Sequence, residues 1–157
     1  MTANPYRLAQ AVWPTRYFIH LTPNLETATF DGEVTVELDV RESTSTISFN
    51  AIELELGEVT VTGGNGSVET LTAVLNEEFE TATVTLTTDL PVGPAQLSLS
   101  FKGILNDKLH GFYRSTYVDQ DGVTQTIATT QFESTDARRA FPCWDEPVFK
   151  AEYNVTL

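Results

Sequence analysis

The stretch Glu33-Val34-Thr35-Val36-Glu37-Leu38-Asp39-Val40 decides the fold of this chain. Successive side chains of a β-strand point to opposite faces, so the aliphatic residues of this stretch share one face and its polar residues share the other. Such strict alternation is typical of a strand with one buried and one solvated face, as in antiparallel sheets. The stretch therefore predicts a half-buried antiparallel strand.

The same alternation recurs along most of the chain. Similar runs cover residues 17–21, 46–49, 53–61, 79–86, 96–102, 111–118, 124–130 and 151–157. Glycine- and proline-rich turns separate them at 62–66 and 90–94, and Asp119-Gln120-Asp121-Gly122 reads as the turn of a hairpin. We predict an all-β fold, an antiparallel β-sandwich or saddle-like sheet, with at most one short helical turn. That turn would cover 134–139, with Ser134 as its cap and Pro142 blocking its extension.

Size and charge limit the classes of protein that this chain can represent. Its 157 residues are enough for one domain with a sizeable core, and we predict a single domain over 1–157. The 22 acidic and 9 basic residues give a formal net charge of −13, which disfavours nucleic acid and anionic membrane surfaces as partners. No apolar run approaches membrane-spanning length, and the first residues lack the apolar core of a signal peptide.

Residues that could carry chemistry are few. The two histidines, His20 and His110, are far apart and neither begins an H-E-x-x-H motif, so we predict no metal site in this chain. The single cysteine, Cys143, has no recognisable histidine partner and is interpreted as a small packed apolar side chain. We therefore predict no catalytic residue here. One cysteine permits no internal disulfide, which suits a reducing compartment.

The segment Gln131-Phe132-Glu133 is the best candidate for a binding site. In an extended chain Gln131 and Glu133 project from one face while Phe132 can anchor in the core. A carboxylate beside an amide carbonyl can receive an ammonium group through charge-assisted hydrogen bonds. Exposed glutamine and glutamate are also the norm on the solvated face of a strand, and the pattern alone favours that interpretation.

The segment that follows is rich in charged and aromatic residues. Arg138 and Arg139 lie near acidic residues in the sequence, which predicts a local ion-pair network of the surface kind that contributes little to stability. Phe141 and Trp144 are expected to pack this loop onto the core. The acidic residues expected to take part are Asp136, Asp145 and Glu146.

Three blocks of the sequence resemble the zinc aminopeptidases of the puromycin-sensitive and aminopeptidase N type. The blocks are Pro14-Thr15-Arg16-Tyr17-Phe18-Ile19-His20-Leu21-Thr22-Pro23 with Phe30-Asp31-Gly32-Glu33-Val34, then Leu105-Asn106-Asp107-Lys108-Leu109-His110-Gly111-Phe112-Tyr113-Arg114-Ser115, and Thr129-Thr130-Gln131-Phe132-Glu133-Ser134-Thr135-Asp136-Ala137-Arg138-Arg139-Ala140-Phe141-Pro142-Cys143-Trp144-Asp145-Glu146-Pro147. They follow family order and span nearly the whole chain.

The resemblance implies an N-terminal β domain that packs against a thermolysin-like catalytic domain. In the family the residue matching Glu133 binds the α-amine of the substrate, and the residue matching Gln131 shapes the same pocket. The zinc, its ligands and the general base belong to the catalytic domain, so zinc is a cofactor of the parent enzyme and not of this piece. The similarity to the cytosolic puromycin-sensitive type also implies a cytoplasmic location.

Two functions remain open at the level of sequence. The first is the N-terminal domain of a zinc aminopeptidase that removes N-terminal amino acids from peptides, inactive alone, with the peptide N-terminus and the catalytic domain of the same protein as partners. The alternative is a stand-alone β-sheet binding or interaction module from a truncated gene product. The sequence that follows Leu157 in the parent reading frame distinguishes the two.

Overall fold

A computed structural model describes residues 6–157, and residues 1–5 of the N-terminal segment lie outside it. The described part is all-β, as predicted, with one 3-10 helix at Ala137–Arg139. None of its elements is a helix of the length and apolar character needed to cross a lipid bilayer. The strands are β1 (Val12–Asn24), β2 (Thr29–Val40), β3 (Thr44–Asn50), β4 (Glu55–Gly63), β5 (Val68–Leu71), β6 (Val74–Asn76), β7 (Thr81–Leu90), β8 (Gly93–Ile104), β9 (Gly111–Val118), β10 (Thr124–Gln131) and β11 (Glu152–Thr156).

A six-stranded sheet in the order β11-β1-β2-β8-β4-β5 forms the larger layer. The alternating stretch of β2 lies near its centre, and Val34, Val36, Leu38 and Val40 are each at most 3% exposed. Val34 is paired with Ile19 of β1 on one side and with Leu99 of β8 on the other, so apolar side chains line up across three strands. Burial of one face therefore holds the register of this sheet.

The second layer is a three-stranded sheet in the order β3-β7-β6, accompanied by the hairpin β9–β10. The buried side chains of β3 and β7, such as Phe49 and Val84, belong to the same hydrophobic cluster as those of the large sheet. The core therefore lies between the two layers, as in a β-sandwich.

The hairpin turn at 119–122 confirms one sequence interpretation. The Asp119 carboxylate accepts hydrogen bonds from the side chain of Gln125 at 2.8 Å and from the backbone N–H groups of Val123 and Asp121. These bonds lower the pKa of Asp119 from its ordinary value, the Gln125 bond contributing most. The acidic side chain closes a turn between β9 and β10, as predicted.

Several details differ from the prediction, each for a physical reason. Strands β5 and β6 have four and three residues, too few for alternation to be recognised. β11 forms a strand as predicted but runs parallel to β1, a pairing that depends on a distant part of the chain. The prediction that Ser134 caps the helical turn was wrong. The 3-10 helix begins three residues later, at Ala137, and its N-cap residue, Asp136, makes no capping hydrogen bond with its side chain.

Two glycines in adjacent strands are covered by phenyl rings. Gly32 of β2 is paired with Phe101 of β8, and Phe30 with Gly103. A Cβ atom at Gly32 would lie 2.3 Å from Cζ of Phe101, and one at Gly103 would lie 2.2 Å from Cζ of Phe30. The rings occupy the space that side chains at the glycines would take, which is how aromatic residues compensate glycine within a sheet.

Gly32→Ala is therefore expected to lower the free energy of unfolding by about 1–3 kcal/mol, because the added methyl group displaces a buried ring. Urea unfolding of the variant and of wild type measures this. The matched control is Asp31→Ala on the exposed face of the same strand, expected to change stability by no more than about 0.5 kcal/mol. Equal midpoints for Gly32→Ala and wild type would show that the Phe101 ring moves aside without cost.

Candidate functional site

The candidate site begins where β10 ends. Gln131 is the last residue of β10 and is paired with Gly111 of β9. Phe132 is half-buried and its ring meets that of Phe141 edge to face, with centroids 5.9 Å apart. The prediction that Phe132 anchors this segment is therefore confirmed. Gln131 and Glu133 on either side of it are exposed.

Gln131 and Glu133 are joined locally. The backbone N–H of Glu133 donates to the side-chain carbonyl oxygen of Gln131 at 3.2 Å. This bond uses one acceptor site of the Gln131 amide. Within residues 6–157 the Glu133 carboxylate has no hydrogen-bond or ion-pair partner, so it is available to a cation from outside this part of the chain.

A short turn follows Glu133 and returns the chain to the core. The peptide bond between Glu133 and Ser134 is cis. The carbonyl of Phe132 accepts a hydrogen bond from Asp136 N–H at 3.0 Å, and the carbonyl of Asp136 accepts one from Arg139 N–H at 3.2 Å. The backbone carrying Glu133 is thus tied to the 3-10 helix that follows it.

Arg138 lies at the centre of a buried ion-pair cluster. It is 8% exposed, and its Nε and Nη1 atoms donate to Asp145 Oδ2 and Glu80 Oε2, each at 3.0 Å. Its Nη2 atom donates to the backbone carbonyl of Asp145 at 3.2 Å. These contacts satisfy most of the guanidinium donors, as burial of a charge requires.

Arg139 extends this cluster toward the surface. It pairs with Asp136 and Glu53 at 2.9 Å and with Glu80 at 3.4 Å. Burial lowers the pKa of the Arg139 guanidinium, but the hydrogen bonds that it donates to Asp136 and Glu53 outweigh that effect and the pKa is raised overall. Arg139 therefore stays charged in its half-buried position.

The predicted ion-pair network is confirmed for two of its three acids. Asp136 and Asp145 take part. The prediction for Glu146 was wrong, because its carboxylate accepts from Arg7 Nη1 at 2.9 Å and from the N–H of Leu8 at 2.6 Å. The expectation of weak surface pairs was also wrong, because the side chain of Arg138 is only 10% exposed. Glu53 and Glu80 were missed, since nothing in the local sequence connects them to a segment 58 or more residues away.

The aromatic and sulfur side chains of the closing segment are packed as predicted. Phe141, Cys143 and Trp144 are 7%, 2% and 3% exposed. Burial raises the pKa of the Cys143 thiol well above its ordinary value, which suits an unreactive packed residue. Backbone hydrogen bonds in both directions join Cys143 to Asn50 at the end of β3.

Neither histidine belongs to a group of side chains that could hold a metal ion within the described residues. His20 lies on the exposed face of β1, and His110 lies in the loop before β9 with Nε2 buried and unpartnered within the described residues. Across residues 6–157 no group of three His, Cys, Asp or Glu side chains is arranged to hold a metal ion.

The all-β sandwich with its closing motif at 129–147 agrees with the fold that the resemblance to aminopeptidase N-terminal domains implies. Residues 13–157 match the family described as the Peptidase M1 N-terminal domain, and the chain belongs to that family. The resemblance drawn from the three sequence blocks is thereby confirmed.

Proteins from several organisms are similar to this chain. It is 41% identical over 155 residues to Aminopeptidase M1 of Arabidopsis thaliana, covering 96% of this chain and 18% of that protein. It is 39% identical over 152 residues to the Puromycin-sensitive aminopeptidase of Caenorhabditis elegans, covering 96% and 16%. It is 40% identical over 155 residues to the Alanine/arginine aminopeptidase of Saccharomyces cerevisiae, covering 96% and 18%. The chain thus spans less than a fifth of the length of these relatives.

Proposed function

We propose that this chain is the N-terminal domain of a zinc aminopeptidase that removes N-terminal amino acids from peptides, and that Glu133 binds the α-ammonium group of the substrate. One observation carries the proposal: the Glu133 carboxylate is exposed and unpartnered within residues 6–157, on a segment held by Phe132 on one side and by Asp136 on the other. A free carboxylate on a held backbone is a suitable receptor for an ammonium group.

Gln131 contributes to the same pocket in this proposal. Its carbonyl oxygen accepts from Glu133 N–H and keeps a second lone pair, while its NH₂ group has no hydrogen-bond partner within residues 6–157 and can donate to a ligand. Gln131 therefore orients the Glu133 backbone and lines the pocket beside the carboxylate. Removing the Glu133 carboxylate in the full-length protein, and comparing ligands with and without an α-amine, tests the anchoring role.

Zinc belongs to the parent enzyme in this proposal and would supply the hydrolytic chemistry there. The described residues of this chain do not fit a zinc site, because no three potential ligands lie together. The domain's part is to bind the peptide N-terminus and to pack against the catalytic domain. Exposed apolar side chains suited to such packing occur on β11, at Tyr153 and Val155, and on the hairpin, at Tyr117 and Ile127.

The relatives favour this function over a stand-alone module. Each is named an aminopeptidase, and the chain covers only 16–18% of the three proteins described above. The proposal also includes a cytoplasmic location, which the resemblance to the cytosolic puromycin-sensitive type implies and with which the single buried cysteine is compatible. Subcellular fractionation with an antibody to the domain tests the location, and recovery in a secreted fraction would contradict it.

Residues 1–157 alone are expected to show no peptidase activity and no stoichiometric zinc, because the part that the structure describes, 6–157, offers no ligand set. Metal analysis of the purified domain and an assay with leucine p-nitroanilide measure both quantities. The control is the full-length protein in the same assay, expected to be active and to lose activity with a chelator. One tightly held zinc per domain, or chelator-sensitive turnover by the domain, would contradict the proposal.

A further inference from the structure

We infer that Glu80 is a positioning residue for substrate binding: through Arg138 and Arg139 it holds the turn that presents the Glu133 carboxylate to the peptide amine. This inference rests on the proposed amine-binding role of Glu133. We call the set Glu80, Arg138, Arg139 and Asp145 the arginine clamp. Glu80 lies in the loop before β7, far from Glu133 in sequence, and does not itself belong to the proposed pocket.

Glu80 joins both arginines of the clamp. Its Oε2 atom accepts from Arg138 Nη1 at 3.0 Å, and its Oε1 atom accepts from Arg139 Nη2 at 3.4 Å. The side chains of Arg138, Arg139 and Glu80 are 10%, 16% and 28% exposed, so solvent screens these contacts less than those of a surface pair. One carboxylate thus holds two successive residues of the 3-10 helix.

The backbone of Glu80 is fixed to the neighbouring strand as well. Its carbonyl accepts from Ala51 N–H at 3.1 Å and from the Asn50 side-chain amide at 3.3 Å. The side-chain oxygen of Asn50 in turn accepts from Asp145 N–H at 3.0 Å. Asn50 is 5% exposed, so a buried polar side chain at the end of β3 links the backbone of Glu80 to that of Asp145.

Two acids of this region have an unfavourable backbone conformation. Glu53 and Glu80 have φ of 58° and 53°, in the left-handed region that side chains with a Cβ rarely adopt. Both carboxylates reach Arg139. Such conformations persist where surrounding contacts over-determine them, and they concentrate near functional sites. Glu80 adopts this conformation as the last residue of the loop between β6 and β7, and its carboxylate contacts the segment that follows Glu133.

A continuous set of bonds leads from the clamp to Glu133. Arg139 Nε donates to Asp136 Oδ1 at 2.9 Å, and the N–H of Asp136 donates to the carbonyl of Phe132 at 3.0 Å. Phe132 directly precedes Glu133. Freeing the arginines from Glu80 is therefore expected to loosen the turn at 132–136 and to spread the Glu133 carboxylate over more positions. A misplaced binding group loses the advantage of preorganisation.

A double-mutant cycle in the full-length protein tests the inference. Glu80→Gln removes the charge at nearly constant size and is expected to lower kcat/KM for leucine p-nitroanilide roughly 3- to 10-fold, mainly through KM. In the Glu133→Ala background the same substitution is expected to change kcat/KM by less than about twofold, because the group being positioned is absent. Assays run well below the melting temperature of each variant.

Two further variants keep the test decisive. Glu37→Gln removes an exposed carboxylate that pairs with Arg16 on the large sheet, and it is expected to behave as wild type in both backgrounds. Glu80→Asp keeps the charge but shortens its reach, and it serves in the same cycle where Glu80→Gln does not fold. Glu80→Asp is expected to lower kcat/KM less than Glu80→Gln does. In the Glu133→Ala background it is expected to leave kcat/KM unchanged.

The outcomes separate this inference from the proposed function. A loss in Glu133→Ala accompanied by wild-type kcat/KM in Glu80→Gln overturns the positioning role and leaves the amine-binding role intact. Equal losses from Glu80→Gln in both backgrounds show a purely structural role and also overturn the inference. Wild-type kcat/KM in Glu133→Ala overturns the proposed function together with the inference that rests on it.

Discussion

Replacing Arg138 with alanine is expected to lower the free energy of unfolding of this domain by about 3–5 kcal/mol. The side chain is only 10% exposed, and its removal leaves the Asp145 and Glu80 carboxylates, 15% and 28% exposed, without their main counter-charge. Removing one member of a buried pair is costly because the remaining charge stays desolvated. A loss of this size is a large fraction of the stability of an ordinary domain.

Urea unfolding of the domain, followed by tryptophan fluorescence, measures this loss. The control is Arg41→Ala: Arg41 pairs with exposed Asp39 at 3.1 Å and lies 3.8 Å over the Trp13 ring. Its loss is expected to cost no more than about 1 kcal/mol, as for exposed pairs and cation–π contacts. Similar losses for the two arginines would contradict the assignment of Arg138 to a buried cluster.

The fold followed from local sequence wherever strands were long and alternating. Val34, Val36, Leu38 and Val40 pointed to one face in the sequence and do so in the structure. The parallel partner of β1 could not be predicted, because strand pairing is decided by contacts between distant parts of the chain. The same holds for the short strands β5 and β6, which carry too little pattern.

The site was predictable in part. The anchoring role of Phe132 followed from its position between two polar residues, and the ring contact with Phe141 confirms it. Of the arginine clamp, the sequence indicated Arg138, Arg139 and Asp145, which lie close together in the chain. Glu80 joins them from a loop that the fold brings alongside, and an ion pair so distant in sequence leaves no local signal. The amine-binding role of Glu133 came from family resemblance and stays a proposal.

Replacing Glu133 with alanine in the full-length protein is expected to lower kcat/KM for leucine p-nitroanilide roughly 10- to 100-fold. A hydrogen bond to a charged group contributes about 1.5–3 kcal/mol, which corresponds to this range. Glu133→Gln should lose less, because the amide carbonyl still accepts from the ammonium group. Zinc content and thermal melting should be unchanged, since the exposed carboxylate has no partner within residues 6–157 whose loss could affect folding.

Glu58→Ala is the matched control, because Glu58 is an exposed glutamate of β4 outside the candidate site. Its kcat/KM is expected to stay within about twofold of wild type. A comparable loss in Glu58→Ala would show that the assay responds to net charge, since each substitution removes one negative charge from an acidic domain.

The most direct test of the central claim compares two inhibitors that differ only in the α-amine. Leucinol carries the amine and 4-methylpentan-1-ol lacks it, and neither has an amide bond to hydrolyse, so the ratio of their inhibition constants reports the contribution of amine binding. We expect wild type and Glu58→Ala to share a strong preference for leucinol, and we expect this preference to be roughly 10- to 100-fold weaker in Glu133→Ala. An unchanged ratio in Glu133→Ala would contradict the claim that this carboxylate binds the substrate amine.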